Sequence, residues 1–196
     1  MDNPSQDNTN NPADKTSEIP EARNATVLQV LPAMGTSGGV ERGTVEIANA
    51  VNKAGGRAIV VSAGGAREHD LSRVGAEHIT MPVDSKNPLT MYANIARLRD
   101  LIRRENVDIV HARSRAPAWS AWYAAKKTKT PFVTTFHGTY SHGNPFKRFY
   151  NSVMTRGERV IAISNFIAGH IRRYYGVQTE RIRIIHRGVD LTKFNA

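Results

Sequence analysis

Residues 26–63, "TVLQVLPAMGTSGGVERGTVEIANAVNKAGGRAIVVSA", decide how the chain is read. An apolar run, TVLQVL (26–31), leads into PAMGTSGGVERG (32–43), which holds four glycines and one proline. An amphipathic stretch over 40–54 follows, and then a second apolar run, RAIVVSA (57–63). Neither run alternates cleanly between apolar and polar residues, and near-continuous β-branched runs fit parallel strands covered on both faces. Strand, helix and parallel strand make a βαβ unit, with the glycines standing where the first strand hands over to the helix.

The alternation continues outward from there. Strands are expected at 77–81, 108–112, 132–136, 159–164 and 181–185, and helices near 67–75, 88–105, 116–127, 145–156 and 165–175. Within 88–105, Leu89, Tyr92, Ile95, Ala96, Leu98 and Ile102 recur at helical spacing, with Arg97, Arg99, Arg103 and Arg104 largely opposite. That spacing predicts that the apolar set faces the core. The implied fold class is α/β, a doubly wound, Rossmann-like parallel sheet. Such sheets bind ligands beyond the carboxyl ends of their strands. Those ends carry the glycine loop, His111 with "RSRAPAW", "HGTYSHG" from His137, Ser164-Asn165, and "HRGVDLTKF" from His186.

Composition narrows the partners. At 196 residues the chain has room for one core plus appendages. It has no cysteine, which excludes disulfides and thiolate chemistry and fits a reducing compartment. No apolar run approaches the roughly 20 residues of a membrane span. Residues 1–24 are polar, lack the basic and apolar regions of a signal peptide, and are expected to be disordered. The formal charge is +10 overall, and the acidic tail leaves +13 on residues 25–196. Such a surplus suits an anionic partner: nucleic acid, lipid headgroups or a phosphorylated small molecule. No helix-turn-helix, zinc or RNP pattern is present, so nucleic acid is not expected.

Glycine lets a ligand approach the backbone without meeting a Cβ. A helix starting at Val40 would turn its free N–H groups toward that ligand, with Gly38 and Gly39 forming the surface. A plain glycine-rich turn is the simpler alternative. The dinucleotide pattern G-x-G-x-x-G does not fit "GTSGGVERG", and no Lys-Ser/Thr follows for a Walker loop. G-x-S-x-G is formally present at Gly35–Gly39, but Pro32-Ala33-Met34 separate it from the strand, unlike a nucleophile elbow. Glu41 suits the first helical turn, where a carboxylate favours the helix dipole, and is otherwise a candidate for an acceptor. His111, Arg113 and Arg115 are acceptor candidates, with a structural histidine and solvated arginines as the alternatives. His137 and His142 stand five apart without a neighbouring carboxylate, which does not make a metal site. Ser164 is expected to cap the helix that follows it. In 145–156, Phe146, Phe149, Tyr150, Val153 and Met154 make one apolar stripe bordered by Lys147, Arg148 and Arg156. Core packing accounts for the stripe; contact with anionic lipid, reinforced by Lys126, Lys127 and Lys129, is the alternative.

"GGVER", "DIVHARS", "TTFHG", "AISNFI" and "IIHRGVDLTKF" occur in this order, each at a strand end. Together they resemble the N-terminal domain of glycosyltransferase family 4, the retaining nucleotide-sugar enzymes of GT-B fold, over residues 26–196. The resemblance implies that Gly38 and Gly39 meet the donor diphosphate and sugar. It places His137 beside the transferred sugar as a hydrogen-bonding catalytic residue. It puts Arg187, Gly188, Val189, Asp190 and Phe194 at an interdomain hinge, where His186-Arg187 stands in place of the family's usual proline-containing pair. It also implies a second domain that binds most of the nucleotide and of which nothing is present. The expected organisation is a tail (1–24), a Rossmann-like domain (25–187) and the start of a hinge (188–196).

On that basis the chain is expected to be the N-terminal half of a retaining transferase, inactive alone. Its donor would be a nucleotide-sugar used as co-substrate, with no cofactor and no metal. The acceptor would be a cell-envelope polysaccharide, lipopolysaccharide or glycolipid. The expected location is the cytoplasm, with the inner face of the cytoplasmic membrane as a working surface. The alternative is a non-enzymatic module that binds an acceptor or a partner.

Overall fold

The computed structural model describes residues 24–36, 38–140 and 143–188. The expected tail up to residue 23, Ser37, His142 and the expected hinge residues Val189, Asp190 and Phe194 lie outside the described residues. In chain order the elements are β1 (Thr26–Val30), α1 (Gly39–Lys53), β2 (Arg57–Ser62), α2 (Glu68–Arg73) and β3 (Glu77–Thr80). Then come α3 (Pro88–Arg104), β4 (Ile109–Ala112), α4 (Arg115–Thr128), β5 (Phe132–Phe136) and α5 (Pro145–Asn151). A 3-10 turn (Ser152–Thr155), β6 (Arg159–Ala162), α6 (Asn165–Tyr175), a second 3-10 turn (Thr179–Arg181) and β7 (Ile182–Ile184) complete the order.

Seven strands form one sheet in the order β3-β2-β1-β4-β5-β6-β7, with every pairing parallel. The order reverses between β1 and β4, which opens a crevice at their carboxyl ends. Right-handed crossovers place α1 and α2 on one face and α3 to α6 on the other. Burial follows that division. Leu28, Val30, Val110, Ala112, Phe136, Val160 and Ala162 pack with Leu98, Ala121 and Ile171 in the larger core. Leu31, Met34 and Val60 pack with Ala48 and Leu71 in the smaller one. The smaller core contains no residue of β5, β6 or β7. On that side Ile161, Ile163 and Ile185 line an open cleft instead.

The helix starts are legible in the chain. Asn87 and Asn144 precede prolines, and each side-chain oxygen accepts from the N–H two residues on, at 2.9 and 2.8 Å. Ser164 Oγ accepts from Ile167 N–H at 3.2 Å, the expected cap. α1 starts at Gly39, one residue before the expected Val40, with Gly38 as an extended N-cap. The helix expected over 145–156 ends at Asn151 and tightens into the 3-10 turn.

The buried face of α3 differs from the one its apolar spacing predicts. Leu89 and Tyr92 do not enter the core; they are 81% and 74% exposed. The buried face of α3 is Asn94, Leu98, Leu101 and Ile102. Asn94 tolerates burial because its amide donates to Pro82 O at 2.8 Å and its oxygen accepts from Arg97 at 3.0 Å, so the helix rotates around a satisfied polar group. The stripe in 145–156 also divides: Val153 and Met154 are buried, whereas Phe146 and Phe149 are exposed.

Pro32-Ala33-Met34 are not a loose spacer. Leu31 N–H donates to Val61 O (3.1 Å), Ala63 N–H to Pro32 O (2.9 Å), Met34 N–H to Gly64 O (2.8 Å) and Arg67 N–H to Met34 O (3.0 Å). The loops after β1 and β2 are therefore zipped together, which fixes where the glycines begin. Below this zipper, Ser62 Oγ meets His78 Nε2 at 2.8 Å, and His78 Nδ1 lies 3.3 Å from Glu68. The order is that of a hydrolase triad, but Ser62 is fully buried and its Oγ already accepts from Gly64 N–H at 3.1 Å. The trio clamps the β2–α2 loop.

Candidate functional site

The crevice gathers residues from α1 and from the segments after β4, β5 and β7. Gly38 adopts φ −105° and ψ 137° and has no side-chain cap, so the first amides of α1 have no capping side chain. The two glycines are needed for different neighbours. The Glu41 carboxylate folds back into the space where a Cβ on Gly38 would lie, and the Arg187 guanidinium occupies that space on Gly39. Glu41 Oε2 is shielded from solvent and has no hydrogen-bond partner among the described residues. The positive end of the helix favours a carboxylate there.

His137 follows β5, and its Nδ1 accepts a 2.6 Å hydrogen bond from Arg187. Arginine has no acceptor atom, so Nδ1 carries no proton and the ring proton sits on Nε2. Burial, then the charges of Arg113 and Arg187, push this histidine down to about 3. It is therefore neutral at physiological pH and offers one N–H donor. That donor, Nε2, is shielded and unpartnered among the described residues.

His111 lies inside β4, buried, with Nε2 at 2.7 Å from Thr135 Oγ1. Burial, then Arg113 and His137, hold it well below its usual range. Arg113 continues the ladder past β4, its N–H donating to Val30 O at 2.9 Å. Its guanidinium runs beneath α1 to Gln29 Oε1 at 3.4 Å and against Gly43, where a Cβ would lie 2.8 Å from Nη2. Arg115, two residues on, goes elsewhere. It donates to Asn151 Oδ1 at 3.1 Å and stacks over the Tyr140 ring at 4.4 Å, on the α5 side of the sheet. The crevice thus unites Gly38, Gly39, Glu41, Arg113, His137 and Arg187, and leaves Arg115 out. His111 contacts it only through Thr135, and Gly188 lies exposed at its rim.

Three participants escaped the reading of the sequence. Gln29 is fully buried in β1 and holds α1 through Thr44 O at 3.1 Å. Thr135 bridges to His111, and Gly43 admits Arg113. A glutamine within the otherwise apolar run TVLQV was the available signal, because a buried amide needs partners.

The two neutral histidines make stability depend on pH. In the unfolded chain they bind a proton near 6.5; in the folded chain they resist it, His137 down to about 3. Folding stability is thus undiminished above 6.5 and falls as pH drops from there toward 3. Urea midpoints at pH 7 and pH 4.5 should show this fall, and His137→Asn should make it shallower. An unchanged slope in that variant contradicts the assignment.

Comparison with known proteins meets this geometry. The glycosyltransferase family 4 model matches residues 37–193. A glycosyltransferase from Rickettsia africae ESF-5 is 44% identical, with a TM-score of 0.76, over 86% of this chain and 44% of that one. Anabaena Alr3699/HepE in complex with UDP and glucose is 18% identical, with a TM-score of 0.70, over 86% and 46%. The lipopolysaccharide outer core galactosyltransferase WaaB is 14% identical, with a TM-score of 0.65, over 84% and 46%. The last two show a shared fold. No curated protein matches in sequence. The chain spans less than half the length of each of these three structures. A crevice at the switch point of a parallel sheet, a family match over most of the chain and close identity to the Rickettsia protein agree: the chain belongs to glycosyltransferase family 4.

Proposed function

We propose that this domain forms the acceptor-side wall of a retaining, nucleotide-sugar-dependent glycosyltransferase and transfers no sugar by itself. The observation that carries the reading is the cluster at the start of α1: helix amides without a capping side chain, Glu41 against Gly38, Arg187 over Gly39, and neutral His137 whose Nε2–H has no partner among the described residues. In the reaction the bond from the sugar C1 to the diphosphate oxygen breaks, and a bond from C1 to the acceptor oxygen forms on the same face. The acceptor proton passes to the departing diphosphate. Helix amides and a guanidinium stabilise the charge that develops there without a metal. The Nε2–H of His137 donates to an oxygen of the sugar or its leaving group, and its low basicity keeps it a donor rather than a base.

A second domain supplies the nucleotide site in this reading. The test joins this chain to the C-terminal half of the Rickettsia protein and screens sugar nucleotides for transfer. Turnover by the joined protein and none by the chain alone supports the proposal. Binding without turnover in a well-folded joined protein supports a non-enzymatic module instead.

For the acceptor we propose an envelope glycan or glycolipid reached at an anionic membrane surface on the cytoplasmic side. Support comes from an apolar surface shared by three helices. Phe149, 63% exposed, lines a groove of about 450 Å³ with exposed Tyr92 and Tyr123, and the same helices α5 and α3 carry exposed Phe146 (85%) and Leu89. Cations border it: Arg156 stacks over Trp122 at 4.8 Å and Trp119 at 5.0 Å, and Lys126 over Trp122 at 5.5 Å. Apolar anchors with a cationic border suit the interface of an anionic bilayer. Phe146→Ser with Phe149→Ser should weaken sedimentation with phosphatidylglycerol vesicles about tenfold or more, since burying one such ring contributes roughly 1.5–3 kcal/mol. Binding insensitive to both this pair and added salt contradicts the proposal.

A further inference from the structure

Arg113 is a buried cation without a counter-ion. It is 2% exposed, yet no carboxylate lies within ion-pair distance among the described residues. Among the described residues its one side-chain hydrogen bond is the long 3.4 Å contact to Gln29, and Nε has no partner. Gln29 donates its amide N–H to Thr44 O and offers Arg113 only a neutral carbonyl oxygen. The acid whose charge reaches Arg113 is Glu46, but Glu46 is exposed and paired with Arg42 at 3.0 Å. The other charge felt there is Arg187, a second cation; burial first, and then Arg187, lowers Arg113 to about 10. A guanidinium withdrawn from water normally keeps a carboxylate with it, because an uncompensated buried charge is strongly destabilising. Here the chain has even removed a side chain, at Gly43, to admit it.

We propose that Arg113 floors an anion subsite, which takes one compact oxyanion, a phosphate or a carboxylate, in the cleft between α1 and the ends of β5–β7. The cleft holds about 220 Å³, and its walls combine Arg113, His137 and Arg187 with the apolar Ile47, Ile161 and Ile185. The cationic side suits the oxyanion through paired N–H donors, and the apolar side suits a sugar ring attached to it. Two substrates could carry that group: an anionic sugar on the acceptor, or the donor diphosphate reaching in from the α1 terminus. The inference rests on the glycosyltransferase reading for the identity of the carrier and on geometry alone for the anion.

Thermal unfolding of this chain tests it without requiring transfer, so failure of the joined enzyme leaves the result intact. The probes are glucose 6-phosphate, glucuronate and inorganic pyrophosphate, with glucose as the neutral control. Wild type should gain Tm with the anions and not with glucose. Arg113→Met should raise Tm without ligand, by removing the unpaired charge, and abolish the anion response. If that variant does not fold, Arg113→Lys keeps a cation without the fork and should weaken anion binding about tenfold. A stronger response to the anionic sugars supports the acceptor as carrier, and a stronger response to pyrophosphate supports the donor. No response to any anion, or an undiminished response in the Arg113 variants, overturns the subsite.

Discussion

Replacing Gly39 by valine is expected to lower sugar transfer by the joined two-domain protein about a hundredfold or more, with this domain still folded. The fold survives because Gly39 is the first residue of α1, exposed, and has no positive φ that a side chain would strain. Function fails for two coupled reasons. A Cβ there occupies the place of the Arg187 guanidinium, so Arg187 must leave, and its hydrogen bond to His137 goes with it. The branched side chain also covers the first amides of the helix, where a diphosphate would be held. Removing a single preorganised donor to a developing oxyanion costs roughly 2.7–4 kcal/mol in well-studied sites, or two to three orders of magnitude. Gly38→Val should act similarly by displacing the Glu41 carboxylate. Steady-state kinetics distinguish this from simple loss of affinity, since kcat should fall along with kcat/KM.

Gly65→Val is expected to be the most damaging exchange for stability, at about 3 kcal/mol or more. Gly65 has φ +144°, a conformation that side chains with a Cβ rarely adopt. Its Cα also packs directly on the backbone of Met34, with the carbonyl oxygen of Met34 in the space a Cβ would need. Met34 cannot move away, because it is fully buried and its N–H and C=O are both bonded, to Gly64 and Arg67. Such a loss lowers Tm by roughly 6 °C or more in a domain of this size. Part of the damage should reach the site, since the same hydrogen bonds aim the glycine loop. Calorimetry of the variant checks the first effect, and a Tm within about 1 °C of wild type would contradict it.

The sheet was legible because parallel strands are buried on both faces and so appear as apolar runs. β5 carries the same limits in the structure as in the sequence, and the others shift by one or two residues. The caps at Asn87, Asn144 and Ser164 were legible for a local reason, a short polar side chain that reaches the next free N–H. The face of α3 was not, because Asn94 is buried through a bond to Pro82, and a hydropathy pattern contains no partners. The same limit hid the site's electrostatics. Arg113 and Arg115 look alike in "HARSR", yet one lies beneath α1 and the other stacks on Tyr140. Strand ends identify which residues reach the crevice edge; only packing decides which side of the sheet each takes. Arg187, expected at a hinge from the resemblance alone, stands in the fold over Gly39 against His137.

Amide hydrogen exchange of the joined protein, with and without a sugar nucleotide that it turns over, tests most directly whether this crevice holds the donor. The account predicts slowed exchange at Gly38, Gly39 and Val40 and in the segment around His137. Protection confined to the C-terminal half, with these amides exchanging as freely as before, would contradict it.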